Sequence, residues 1–299
     1  RILAEIFDAA GVPAGVFNLI QGRGSVVGAA MSIHPDIDMV SITGSESAGI
    51  EVARNAATTV KRVCQELGGK SANIVLDDVD FAGNVAKGVT GMMVNSGQTC
   101  SAVSRMLVPK TRMDEAMRVA REAAATVTVG DPGGNFAMGP VVSRSQFDSI
   151  QEYIRKGIEE GATLVAGGAG RPQGLTRGFY VRPTVFANVT NDMVIAREEI
   201  FGPVLAILGY DNLDHAVEIA NDSDFGLAGN VAGADLETAR AVARRIRAGS
   251  VAINDGFDFN APFGGYKKSG NGREWGESGF HEYLEIKGIL GYAPGQAAQ

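Results

Sequence analysis

Apolar residues at helical spacing and short apolar runs follow one another along most of this chain. Ile2 to Ala10 reads as a helix closed by Gly11. Val16 to Ile20 reads as a strand, Gln21-Gly22-Arg23-Gly24-Ser25 as a turn, and Val26 to Ile33 as a helix. Met39 to Ile42 repeats the strand and leads through Thr43-Gly44-Ser45-Glu46 into a helix over about 48–57. Arg62 to Leu67 reads as a third strand, and a domain boundary is placed near Gly68-Gly69. The alternation then resumes: strand Ile74-Val75-Leu76, helix Phe81 to Val94, strand Arg105 to Val108, helix Met113 to Ala125, helix Gln146 to Glu160 and strand Thr163 to Ala166. A glycine-rich loop spans Gly167 to Gly178. Leu236, Ala239, Val242, Ala243 and Ile246 share one face of a helix with Asp235 as N-cap and Gly249 beyond its end, and Val251-Ala252-Ile253 reads as a buried strand. Ala293 to Gln299 carry no core-forming pattern. Strands alternating with helices predict an α/β fold with parallel sheets wound right-handedly.

Length and composition narrow the function. At 299 residues the chain fits about two domains. Forty glycines, nearly twice ordinary usage, fit many tight strand-to-helix turns. A net charge of -7 and a pI near 5.1 argue against nucleic acid as a partner. No apolar run approaches the roughly eighteen residues of a membrane span, so no membrane is expected. Two cysteines, Cys64 and Cys100, are too few for a disulfide framework and favour a reducing, cytoplasmic setting. His34, His215 and His281 lie far apart and Cys64 near none of them, so no metal-binding spacing exists.

The chemistry concentrates in two places. Cys100 sits in the small, polar loop Asn95-Ser96-Gly97-Gln98-Thr99-Cys100-Ser101, and Glu66 stands in Gln65-Glu66-Leu67-Gly68-Gly69-Lys70. A thiolate attacks carbonyl carbon and a carboxylate activates water, so the pair suits a thioester that forms and is then hydrolysed. A lone cysteine equally fits a small buried hydrophobe, and a glutamate beside two glycines a solvated charge. Cys64, two residues before Glu66 on the same predicted strand, is read as a packing residue on the same face. Gly69-Lys70-Ser71 fails as a phosphate-binding loop because Cys64 stands where that motif needs glycine. Gly22-x-Gly24-x-x-x-Gly28, between a strand and a helix, fits a dinucleotide turn or a simple packing turn.

Five segments, in order, resemble motifs of the aldehyde dehydrogenase superfamily: Ile42-Thr43-Gly44-Ser45, Glu66-Leu67-Gly68-Gly69-Lys70, Gly97-Gln98-Thr99-Cys100, Glu198-Glu199-Ile200-Phe201-Gly202-Pro203-Val204 and Pro262-Phe263-Gly264-Gly265-Tyr266-Lys267. The resemblance implies Cys100 as nucleophile and Glu66 as general base in NAD- or NADP-dependent oxidation of an aldehyde to a carboxylic acid. It places Gly24 and Gly28 in the cofactor groove, Gly44, Ser45, Glu46, Ser47, Ala48 and Gly49 on a second helix beside it, and Leu67 and Gly68 nearby. It sets Gln146 and Glu199 on a ribose and Phe201 against the nicotinamide, although Ser149 stands where relatives often carry Lys. Asp255, Phe257 and Phe263 fall where the family lines its aldehyde tunnel, which favours apolar or aromatic aldehydes.

The implied architecture is two Rossmann-like domains: residues 1–68 as part of the cofactor domain, 69–268 as the catalytic domain, and 269–299 as a tail. In that tail Leu284 to Tyr292 forms an intersubunit strand of a homodimer or homotetramer. The chain opens on Arg1 inside a helix, so a family member is expected to carry a further N-terminal stretch with a Lys and a Glu for the adenosine ribose and an Asn for the oxyanion. Two other readings stand beside this one. An acylating relative would pass the thioester to coenzyme A, against which Glu66 argues, and an inactive fragment would bind cofactor poorly.

Overall fold

The structure, a computed structural model, describes residues 1–291. Helix α1 (Ile2–Ala9) ends at Ala10, and Gly11 makes the turn at φ 76°. The expected strand Val16 to Ile20 does not form. Its residues are exposed and no described strand lies against them, so the apolar run has no edge to pair with. The helix expected from Val26 starts earlier, as a π-helical turn Gly24–Gly28 running into α2 (Ala29–Ile33). Next, β1 (Met39–Thr43), α3 (Glu46–Ala56) and β2 (Arg62–Glu66) make a parallel β-α-β unit whose register sets Thr43 beside Glu66.

A seven-stranded sheet follows. Its first elements are β3 (Ala72–Val75), α4 (Phe81–Met93), β4 (Arg105–Pro109) and α5 (Met113–Thr126). They continue as α6 (Arg144–Glu159), β5 (Thr163–Ala166), β6 (Thr184–Ala187), α7 (Val194–Arg197), β7 (Val204–Tyr210) and α8 (Leu213–Asn221). After the short β8 (Phe225–Gly226) come β9 (Ala228–Ala232), α9 (Leu236–Ala243) and β10 (Ser250–Ile253). The order is β10-β9-β3-β4-β7-β6-β5, parallel throughout except for β5, which runs antiparallel to β6.

The sequence reading does not predict β6, β7, β9 or α8, and β7 shows why. Val204, Ala206 and Leu208 enter a core with α6, α8 and α9, while Leu205 and Ile207 enter a second core with α4 and α5. A strand covered on both faces is apolar at every position and loses its period of two.

The chain then returns to the first sheet. β11 (Tyr266–Lys267) pairs with β8, and β12 (Gly270–Asn271) runs antiparallel to β2, setting Gly270 opposite Glu66. A short helix α10 (Gly276–His281) follows. The predicted intersubunit strand is not formed in the single chain: residues 284–291 are irregular, with Ile286 and Leu290 fully exposed, because no described strand edge lies alongside them. Tyr292 and the tail 293–299 lie outside the described residues.

Candidate active site

Only residues 67–71 join β2 to β3, so the carboxyl end of the small sheet abuts the amino end of the large one. Into this junction come the loop before β4, with Cys100, and the turn before β7, with Glu199 and Phe201. Glycines let them close. A Cβ on Gly69 would lie 2.5 Å from the Cys100 carbonyl oxygen, and one on Gly68 would collide with the Glu199 carboxylate. The Gly69 N–H donates to Glu199 Oε1 at 3.1 Å. Gly69, Gly97, Thr99, Glu199, Phe201 and Gly202 line a narrow cleft there.

The loop that carries Cys100 is held in an uncommon shape. Asn95, Ser96 and Gly97 all take positive φ (52°, 57° and 69°). Ser96 Oγ donates to the Gly139 carbonyl at 2.9 Å, and Gln98 Oε1 accepts from the Val142 N–H at 2.9 Å. Such strain persists only where the surroundings fix it. Cys100 emerges half-buried, and burial pushes its thiol up, with the Glu199 and Glu66 charges adding to the rise.

Glu66 is buried and neither carboxylate oxygen has a hydrogen-bond partner among the described residues. Burial raises it to about 7, reinforced by Glu274 and opposed by Arg273. A Cβ on Gly264 would come within 2.9 Å of Glu66 Oε1, so the 262–267 motif closes one side of the carboxylate. Cys64 shares the Glu66 face of β2 as expected; it is buried, with Sγ 3.5 Å from the Asn271 carbonyl.

The remaining expected positions fall in three groups. Ser45 is the N-cap of α3, its Oγ accepting from the Ala48 N–H at 3.3 Å, and Ser47 lies 3.0 Å from it. Glu46 pairs with Lys268 at 3.5 Å, and Gly49 lets α3 pack on Leu67, where a Cβ would come within 2.6 Å. A Cβ on Gly24 or Gly28 would meet nothing within 4 Å, and one on Gly44 would make only ordinary contact with Ala48 and Ile42 at 3.8–3.9 Å, leaving room at two helix starts. Gln146, on the first turn of α6, donates through Nε2 to the carbonyls of Ile200 (3.0 Å) and Phe201 (2.8 Å). Phe201 is partly exposed at φ 51°. Phe263 stacks on Trp275 with centroids 4.7 Å apart, and Phe257 meets Trp275 edge-on at 5.7 Å. The Asp255 N–H is held by Asn230 Oδ1 at 3.1 Å, and among the described residues its carboxylate makes no hydrogen bond or ion pair.

Sequence reasoning missed Lys70, Arg273, Glu274 and Trp275 as neighbours of the site. Lys70 is wholly enclosed, with no hydrogen-bond partner at Nζ among the described residues, and burial followed by the Arg105 charge lowers it to about 7. A charge beside a motif glycine, Lys70, was the available signal; Arg273 and Glu274 offered none locally. Among the described residues no cluster of three or more His, Cys, Asp or Glu could hold a metal, and no helix is long and apolar enough to cross a membrane.

The aldehyde dehydrogenase family model matches residues 1–289. A 3-succinoylsemialdehyde-pyridine dehydrogenase of a Pseudomonas species is 53% identical over 293 residues, covering 97% of this chain and 61% of that protein. A cysteine-to-alanine variant of aldehyde dehydrogenase C from Pseudomonas syringae, solved with NAD+ and octanal, superposes with a TM-score of 0.96 at 55% identity, covering 99% of this chain and 61% of that one. An aldehyde dehydrogenase of Mycobacterium tuberculosis with NAD+ gives 0.92 at 45% identity, covering 98% and 61%. The chain thus spans about three-fifths of the length of these relatives. With its junction of two sheets, its thiol and its buried carboxyl group, the chain belongs to the aldehyde dehydrogenase family.

Proposed function

We propose that this chain carries the catalytic centre of an enzyme that oxidises an aldehyde to a carboxylic acid with NAD, or NADP, as acceptor. The observation that carries the reading is the meeting of Cys100, the buried Glu66 and Glu199 at the sheet junction. A half-buried carboxylate beside a partly exposed Phe201 fits a ribose diol and a flat ring, and the open glycines at two helix starts fit phosphates. Gln146, Glu199 and Phe201 would hold the nicotinamide side, and Gly24, Gly28, Gly44 and Ser45 the phosphates. The solved neighbours from Pseudomonas syringae and Mycobacterium tuberculosis, both bound to NAD+, favour NAD.

The Cys100 thiolate adds to the aldehyde carbon, and the Cys100 backbone N–H would donate to the oxyanion of the tetrahedral thiohemiacetal. When bound, the dinucleotide supplies the acceptor for the hydride that leaves this carbon. Glu66 takes a proton from water as it attacks the resulting thioester, which releases the acid and restores the thiolate. Phe257, Phe263 and Trp275 form an aromatic wall that suits an apolar or aromatic aldehyde chain. A boundary between residues 1–68 and 69–268 is supported by the separate sheets, whereas in the expected tail 269–299 β12 rejoins the first sheet beside β2; a homodimer or homotetramer is supported by the exposed apolar stretch 284–290. Replacing Cys100 tests the core of the reading: Cys100→Ala should abolish aldehyde oxidation while Cys64→Ala leaves most of it, and equal losses in two folded variants would refute separate roles.

A further inference from the structure

Three residues on one face of α6, four and three positions apart, grip the segment 198–202. Gln146 spends both amide hydrogens on the Ile200 and Phe201 carbonyls, at 3.0 and 2.8 Å. A Cβ on Gly202 would collide with Ile150, and Tyr153 Oη donates to Glu198 Oε2 at 2.7 Å. Phe201 needs such a grip because a bulky residue at φ 51° is strained.

The same end of α6 holds the nucleophile loop. Residues 139–142 lead directly into the helix, and they receive Ser96 Oγ at the Gly139 carbonyl and supply the Val142 N–H to Gln98. Ser143 then caps the helix on the Gln146 N–H at 3.1 Å. The ring closes at Gly97, which packs so tightly on Gly202 that a Cβ would collide with the Gly202 carbonyl and lie 2.7 Å from the Pro203 nitrogen.

We propose that Gln146 is a positioning residue whose amide locks the Ile200–Phe201 turn and, through Gly202 and Gly97, sets the conformation of the loop that presents Cys100. The inference rests on the proposed role of Cys100, but its readout is separate, since thiol alkylation is measured without turnover. A residue that only touched a ribose would act on cofactor affinity alone. A strap acts on the thiol before any cofactor binds.

The test compares Gln146→Ala, Gln146→Glu and Gln146→Lys in the purified protein, with folding checked by circular dichroism and Tm. Glu keeps the shape and an acceptor but turns oxygens toward the two carbonyls; Lys donates to them but cannot accept. Iodoacetamide alkylation without cofactor, read by mass spectrometry on the Cys100 peptide, should change about fivefold or more in the Ala and Glu variants, with kcat down about tenfold. The Lys variant should return the cofactor-free alkylation rate to within about twofold of the parent, whatever it does to NAD binding. If Ala does not fold, the Glu and Lys pair decides alone. Alkylation rates unchanged in all variants, with KM for NAD raised even in Lys, would reduce Gln146 to a cofactor contact and overturn the proposal. Retained oxidation in Cys100→Ala would instead sink the functional reading.

Discussion

Glu66 illustrates how burial tunes a single residue. With its carboxyl raised to about 7, it is protonated at low pH and becomes a usable base only as pH climbs through that value. Steady-state turnover limited by thioester hydrolysis should therefore rise with pH around 7 and level off above it. Glu66→Gln keeps the shape and removes the basicity, so a burst of reduced cofactor followed by very slow turnover is expected; an unchanged steady-state rate would exclude Glu66 as the base. Lys70 gives the opposite sign. Its value falls from an ordinary 10.5 to about 7, so between those pH values the unfolded chain binds a proton that the folded one does not. Stability contributed at this position rises with pH across that window and is lost as pH falls toward 7. Lys70→Met should raise Tm at pH 7 and flatten its pH dependence up to 10.5, which thermal melts across that range can check.

At the level of elements, glycines decide which loops can meet. Gly97 combines φ 69° with contact against the Gly202 carbonyl, so Gly97→Ala should cost about 1–3 kcal/mol from backbone strain alone. Turnover should fall further than the melting temperature suggests, because the displaced segment carries Cys100. What was legible in the sequence follows the same division. Cys100, Glu66, Glu199 and Ser45 lie in short motifs that the family resemblance picks out, whereas the residues alone left Cys100 and Glu66 equally open to packing or solvated roles, and the capping by Ser45 emerged only in the structure. Glu274 and Arg273 reach Glu66 only because β11 and β12 bring the chain back to β2, and no local period encodes that return. Val16 to Ile20 failed in the other direction, since an apolar run carries no information about whether an edge awaits it.

For the whole molecule, the proposed assembly rests on the exposed apolar side chains of Leu284, Ile286, Ile289 and Leu290. The intact protein should scatter light as a dimer or tetramer and lose that state when residues 284–299 are deleted; a monomer before deletion would refute the expectation. The candidate site occupies one end of the large sheet. Cys100, Glu199 and the 67–71 link all enter at the amino ends of β3, β4 and β7. The turns leaving those strands, Asp77–Asp78, Lys110–Thr111 and Asp211–Asn212, line a separate crevice at the far end. Those turns are therefore free to lengthen or drift without reaching the reacting atoms, and a short peptide inserted after Asp211 should register in the melting temperature while leaving the kinetics of oxidation in place.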